Sequence, residues 1–337
     1  MNARSRVCIF GAGAIGGYLG VQFARAGIEA SLVARGAHLA AIRERGLRLQ
    51  IGRDEHVAML PCTDRPGDLG VQEYVIVALK AHQIPDAVDA MLPLLGPNTT
   101  IVTASNGLPY WFLDVVAPPY RGATLASIDP EGRQRKLLRP ERALGLVVFP
   151  ATAMVAPGVI RHDHGSKLPV GEPCGGRSDR VVRLHEMLVA SDFDAPIRDD
   201  IRDEVWLKLW GNLCFNPISA LTGATIDVIA GEPGTREICR AMMLEMAAIG
   251  ERLDVKLRVD VDRRIDGARA LGPHKMSMLQ DLDRGRSMEI EPLVGVVQEL
   301  GRLTGLATPT VDVVLALVRQ RARVAGAVDV AANCTGH

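Results

Sequence analysis

The chain has 337 residues, enough for about two domains with separate cores. Its 47% hydrophobic and 23% charged residues exclude a disordered or collagen-like polymer. Lys plus Arg equals Asp plus Glu at 39 each and aromatics are only 4%, so the chain lacks the positive excess and the stacking platforms that nucleic-acid binders use, and it has no bulk charge to hold an anionic membrane.

Six cysteines, at 8, 62, 174, 214, 239 and 334, show neither C-x-x-C pairs nor zinc spacing and read as free thiols of a reducing compartment. The histidines show no metal spacing, so no metal is expected. The first ten residues run directly into a strand, and no apolar stretch reaches the roughly 18 residues a bilayer requires, so a cytoplasmic protein is expected.

From 7 to 149, short apolar runs alternate with helical ones. Strands are expected at 7–10, 30–33, 74–79 and 100–104, and helices at 15–26, 38–44 and 84–95, the pattern of a parallel sheet covered on both faces. Strand-like runs at 143–149, 158–162 and 168–170 are expected to extend that sheet by antiparallel pairing. The polar stretch 172–179, EPCGGRSD, reads as a domain boundary. Helical patterns follow at 180–190, 200–215, 233–253, 260–270, 277–283, 292–304 and 310–325. The fold class is therefore α/β: a Rossmann-type doubly wound domain at 1–175, an all-helical domain at 176–330 for substrate and dimerisation, and a frayed tail at 331–337.

Gly11-Ala12-Gly13-Ala14-Ile15-Gly16 follows the first strand and opens a helix, where the G-x-G-x-x-G spacing has a mechanism. The first glycine allows the tight turn, the second lets backbone approach a pyrophosphate, and the third lets helix pack on strand, with the helix N-terminus facing phosphate. At the end of the second strand a ribose-binding acid is absent and Arg35 stands instead. A guanidinium there suits the 2′-phosphate of NADP; a solvent-facing turn residue is the alternative.

Ligands of open α/β sheets sit beyond the carboxyl ends of the strands, which draws attention to Lys80 and Asn106, although a surface lysine and a turn asparagine fit those positions equally. In WLKLWGNLCFN, Lys208, Asn212 and Asn216 recur at i, i+4 and i+8 among Trp, Leu and Phe, so they share one stripe of a helix otherwise suited to a core. Lys208 in a pocket could protonate a carbonyl oxygen while the amides hold polar atoms of the same ligand; snorkelling to solvent is the alternative. Ser277 and Glu289 flank a turn at Gly285 and read either as site residues or as helix-terminal ones.

Taken together, Gly11 to Gly16, Lys80-Ala-His-Gln83, Asn106-Gly107, Trp206-Leu-Lys208-Leu-Trp-Gly-Asn212, Asn216-Pro217, Ser277-Met-Leu-Gln-Asp281 and Glu289-Ile290 make the chain resemble the ketopantoate reductase (2-dehydropantoate 2-reductase) family. The resemblance implies an NADP-dependent oxidoreductase of pantothenate biosynthesis that reduces a small 2-oxo acid, ketopantoate, with Lys208 as general acid. It further implies that Glu289 helps order substrate and cofactor, that Asn106, Asn212, Asn216 and Ser277 contact substrate, and that Lys80 and Asn106 contact cofactor. A homodimer is a candidate assembly. A reductase of a different 2-oxo acid, and a catalytically silent NADP(H)-sensing protein, are the competing readings.

The chain departs from the family pattern at three places. His274 and Ile226 stand where the family carries amides, and Glu289-Ile-Glu291-Pro-Leu-Val294-Gly295 replaces EIDxxNG. These changes point to an altered substrate pocket, and residues 105–111, SNGLPYW, are expected to put aromatic surface beside the site.

Overall fold

A computed structural model describes residues 6–327; the tail expected to fray at 331–337 lies outside the described residues. The chain divides into two compact units. One comprises the residues up to Val115 together with Gly132–Glu204, and the other comprises Val116–Glu131 and the chain from Val205 onward.

In the first unit β1 (Val7–Phe10), α1 (Ala14–Arg25), β2 (Ala30–Val33), α2 (Gly36–Arg45), β3 (Leu47–Ile51), β4 (Asp54–Ala58), β5 (Cys62–Thr63), β6 (Gln72–Val77), α3 (Ile84–Met91) and β7 (Leu95–Thr103) follow in order. After the excursion of Val116–Glu131 come β8 (Ala143–Leu146), β9 (Ala151–Ala156), β10 (Val159–His164), β11 (Val170–Gly171) and α4 (Asp179–Ala190). The main sheet runs β11-β8-β7-β6-β1-β2-β5 and is parallel except at β11. Its central strands are buried on both faces, as continuous runs such as VCIF require.

A second sheet, β4-β3-β10-β9, was not anticipated. The run at 143–149 does extend the main sheet, but β8 pairs in parallel with β7; the run at 158–162 leaves for the second sheet, and only β11 adds the expected antiparallel edge. Helix α1 explains the detour. Its GGYLG segment is thin enough to be buried on two sides: a Cβ at Gly16 would lie 3.0 Å from Ile9 of the main sheet, and one at Gly17 would lie 2.6 Å from Ile160 of the second.

The boundary expected near 175 falls instead at Glu204 and Val205. The polar stretch 172–179 is a turn inside the first unit, where Ser178 caps α4 and the Glu172 carboxylate accepts from Arg180 at 2.6 and 2.8 Å. Val181, Leu184 and Leu188 then bury α4 in the core of that unit. Polarity of a segment reports exposure of a loop, and a loop within a domain is as exposed as one between domains.

The second unit is helical: α5 (Ile201–Thr222), which begins in the first unit, then α6 (Ile226–Gly231), α7 (Pro233–Arg252), α8 (Val261–Arg269), α9 (Ser277–Asp283), a π-helical turn at Glu291–Gly295, α10 (Val296–Thr304) and α11 (Pro309–Ala325). Helix α7 packs along α5: the Trp210 indole donates to the Met243 carbonyl at 2.7 Å, and Gly250 makes room for Trp206 at 3.0 Å. Glu245 of α7 accepts from Thr310 and Val311, satisfying the open N–H groups of α11. Glu299 of α10 accepts from the N–H groups of Ala126 and Ser127, which holds the Val116–Glu131 excursion in this unit.

Candidate active site

The first unit gathers the expected cofactor residues on one edge. Gly11 follows β1, Arg35 follows β2, Lys80 follows β6 and Asn106 follows β7, and these strands are neighbours in the order β7-β6-β1-β2, all ending at the same side of the sheet. Gly11 has φ +104°, and a Cβ there would meet Leu79 and the Ala78 backbone. A Cβ at Gly16 would run into the Gly11 carbonyl. At Gly13, by contrast, a Cβ would meet open space. Gly13 is the N-cap of α1 without a side-chain cap, so the first N–H groups of Ala14, Ile15 and Gly16 are left for an acceptor from outside. That cradle fits a dinucleotide pyrophosphate.

One residue that braces this loop escaped sequence reasoning. His38, in the first turn of α2, accepts the Gly158 N–H at Nδ1 (2.8 Å) and lies 2.7 Å from the Ala12 carbonyl through Nε2. Because Nδ1 accepts, Nε2 carries the proton and donates to Ala12, so a neutral histidine in one tautomer fixes the glycine loop. No spacing rule marks such a residue. Arg35 is exposed at the N-cap of α2, and among the described residues it has no ion pair. The aromatic residues expected beside Asn106 face inward: Tyr110 and Trp111 are buried, the Tyr110 hydroxyl donates to the Arg139 carbonyl at 3.3 Å, and the Trp111 indole donates to Thr103 at 3.1 Å. Burial of so much apolar area decides their direction.

In the second unit α5 is apolar nearly all round, so Lys208 is desolvated although part of its surface stays open. Burial lowers its pKa from 10.5 to about 8, against the opposing pull of the nearby Glu289 carboxylate. Glu289 is itself buried, just ahead of the π-helical turn. Asn212 follows one turn after Lys208 and is partly open. Asn216 is 1% exposed, and its Oδ1 accepts from the Ser277 hydroxyl at 3.0 Å and the Met278 N–H at 3.2 Å. Two fixed donors on Oδ1 orient the amide, and its buried Nδ2 has no hydrogen-bond partner. Ser277 is thus not the cap of α9, whose N-cap is Met276; its hydroxyl serves Asn216.

The departures from the family pattern also have local causes. Ile226 is buried, and its N–H donates to the His274 carbonyl at 3.0 Å, so the two altered positions adjoin. Val294 is fully buried in the helical core, whereas Glu291 forms a part-exposed ion pair with Arg319 of α11 at 2.6 and 2.7 Å.

Such a lysine, an acid beside it and an oriented amide suit carbonyl reduction, and the matches to known proteins agree. Residues 7–173 match the family described as Ketopantoate reductase PanE/ApbA, and residues 200–322 match its C-terminal part. The chain belongs to the ketopantoate reductase family. It is 52% identical over 318 residues to a 2-dehydropantoate 2-reductase of Mesorhizobium japonicum, covering 94% of this chain and 98% of that protein. A solved structure assigned to ketopantoate reductase, from Ralstonia solanacearum, superposes with a TM-score of 0.92 at 40% identity, covering 96% and 99% of the two chains. A D-mandelate dehydrogenase solved with NADH and anilino(oxo)acetate shares the fold at 20% identity, with a TM-score of 0.83 and 96% and 100% coverage. Membership makes the chain an oxidoreductase acting on CH–OH groups. Among the described residues no helix is long and apolar enough to cross a membrane.

Proposed function

We propose that the protein reduces 2-dehydropantoate to pantoate with NADPH. The nicotinamide, when bound, supplies a hydride from C4 to the 2-keto carbon. Lys208 donates the proton that the developing alkoxide needs, and the observation that carries the reading is its place on the apolar helix α5 near the buried Glu289, where burial lowers its pKa to about 8 and leaves the ammonium both populated and acidic. Glu289 keeps that ammonium protonated by its charge. The free N–H bonds of Asn216, oriented by Ser277, hold a polar atom of the substrate, and Asn212 serves the same stripe one turn earlier. Lys80 and Asn106, at the strand ends, serve the nicotinamide ribose and its surroundings, and Arg35 takes the 2′-phosphate that distinguishes NADPH from NADH.

A second substrate reading rests on Ile226. An apolar, buried side chain in place of an amide cannot meet a substrate hydroxyl, which favours 2-oxo acids with apolar tails. Rates of NADPH oxidation across a panel of 2-oxo acids decide between the two. Ketopantoate is expected to give the highest kcat/KM; another acid at least tenfold better, equivalent to about 1.4 kcal/mol in transition-state binding, would overturn the substrate assignment while leaving the chemistry in place.

A further inference from the structure

Arg264 of α8 reaches across to α5 and occupies the space that a side chain at position 211 would fill. A Cβ on Gly211 would overlap its Nη2 and lie 3.2 Å from its Cζ. Glycine in mid-helix is unfavourable, so its presence in a 22-residue helix has a cause, and the guanidinium supplies one. Three acids share the segment of Arg264 and each is engaged elsewhere: Asp260 caps α8 and pairs with Arg263, Asp262 pairs with Arg236 and Arg240, and Asp266 pairs with Arg236.

Among the described residues no carboxylate pairs with Arg264, and its buried Nε has no hydrogen-bond acceptor. The ionisable group facing it from α5 is the Cys214 thiol, which donates to the Trp210 and Gly211 carbonyls and is kept neutral because burial pushes its pKa up. A buried cation without a counter-charge is costly, and a guanidinium cannot escape the cost by losing its proton. Arg264 as a residue is only partly buried.

We propose that Arg264 is the cation of a small-oxyanion site, taking a carboxylate or phosphate group by the fork geometry of its guanidinium, on the flank of α5 one turn beyond Lys208. The site itself rests on Arg264 and Gly211; only the choice of the substrate carboxylate as a natural occupant rests on the reductase reading above.

The test compares wild type with Arg264→Met, Arg264→Lys and Gly211→Ala at saturating NADPH, so that the glycine loop does not contribute. Inorganic phosphate binding is read from the rise in Tm it produces, and steady-state kinetics with 2-dehydropantoate are measured in parallel. The Met variant is expected to unfold at or above the wild-type temperature without added anion, because an unpaired buried charge has gone. Its affinity for phosphate should fall at least tenfold, with a similar loss in Gly211→Ala and a smaller one in Arg264→Lys.

A matching rise in KM for 2-dehydropantoate, with KM for NADPH unchanged, identifies the substrate carboxylate as occupant. Loss of phosphate binding with an unchanged KM identifies a free anion instead. A Met variant that unfolds below wild type and binds both ligands as wild type does makes Arg264 a structural residue and overturns the site. Failure of the reductase reading shows separately, as Lys208→Ala retaining turnover while the phosphate result stands.

Discussion

In the proposed mechanism Lys208 meets two opposed demands, a buried position that disfavours its charge and a reaction that needs its proton. Burial wins part of the contest and Glu289 limits the loss, which leaves the pKa near 8. With Lys208 as the proposed proton donor the protonated form is the active one, so kcat is expected to fall as pH rises through about 8. Glu289→Gln removes the charge that raises this pKa, so the alkaline limb should move to lower pH; a limb that stays put in a pH–rate profile would show that another group controls it. Replacing the lysine itself, Lys208→Ala, should cost roughly 10² to 10⁴ in turnover while NADPH still binds, separable by titrating NADPH fluorescence alongside the kinetics. On the cofactor side, Arg35→Asp should reverse the proposed preference for NADPH over NADH, since a carboxylate repels a 2′-phosphate and accepts from ribose hydroxyls. An unchanged ratio of the two dissociation constants would remove Arg35 from the site.

At the scale of elements, α1 is held by what its glycines omit. It lies between two sheets because Gly16 and Gly17 let Ile9 and Ile160 approach, and its N-terminus is steadied by His38 from α2. That histidine links the Ala12 carbonyl to the turn at Gly158 ahead of β10, so the second sheet has a task, to hold the glycine loop in shape. His38→Ala is therefore expected to weaken NADPH binding about tenfold, at an unchanged kcat under saturating cofactor. Isothermal titration checks the first part and steady-state kinetics the second; a fall in kcat with normal affinity would place His38 in the chemistry instead.

Across the whole molecule, the chain passes between its two units after Val115, after Glu131 and after Glu204, the last time within a continuous helix. Global stability should carry the signature of Lys208 in the second unit. Its pKa is about 8 in the folded protein and near 10.5 when unfolded, so between those values the unfolded chain binds more protons and stability rises with pH. The thiols of the buried Cys8 and the half-buried Cys62 work in the opposite sense above pH 9, raised to about 12 and about 11. Comparison with Lys208→Met isolates the lysine. The Met variant should be the more stable at pH 7, by up to about 3 kcal/mol from a shift of this size, and urea midpoints of the two proteins should converge only above pH 10.5, the unfolded value. A gap that stays constant would mean that the ammonium is not desolvated.

The sequence by itself determined the parallel sheet, the glycine loop, the helical second half and the stripe of Lys208, Asn212 and Asn216, because periodicity and turn chemistry are local and each is written within a few residues. Glu289 and Ser277 were legible only through their family motif; spacing alone could not separate them from helix ends, and the structure assigns the Ser277 hydroxyl to Asn216, 61 positions away. What only the tertiary structure decided depends on distant partners. The second sheet joins β3 to β10, more than a hundred positions apart in sequence, and the unit boundary moved to Glu204 because α4 found its apolar partners in the first core. The inward turn of Trp111, the tautomer of His38 and the unpaired charge of Arg264 have the same origin. Each is set by which surfaces and charges the fold brings into contact, and a buried group declares its role only when its neighbours, or their absence, are known.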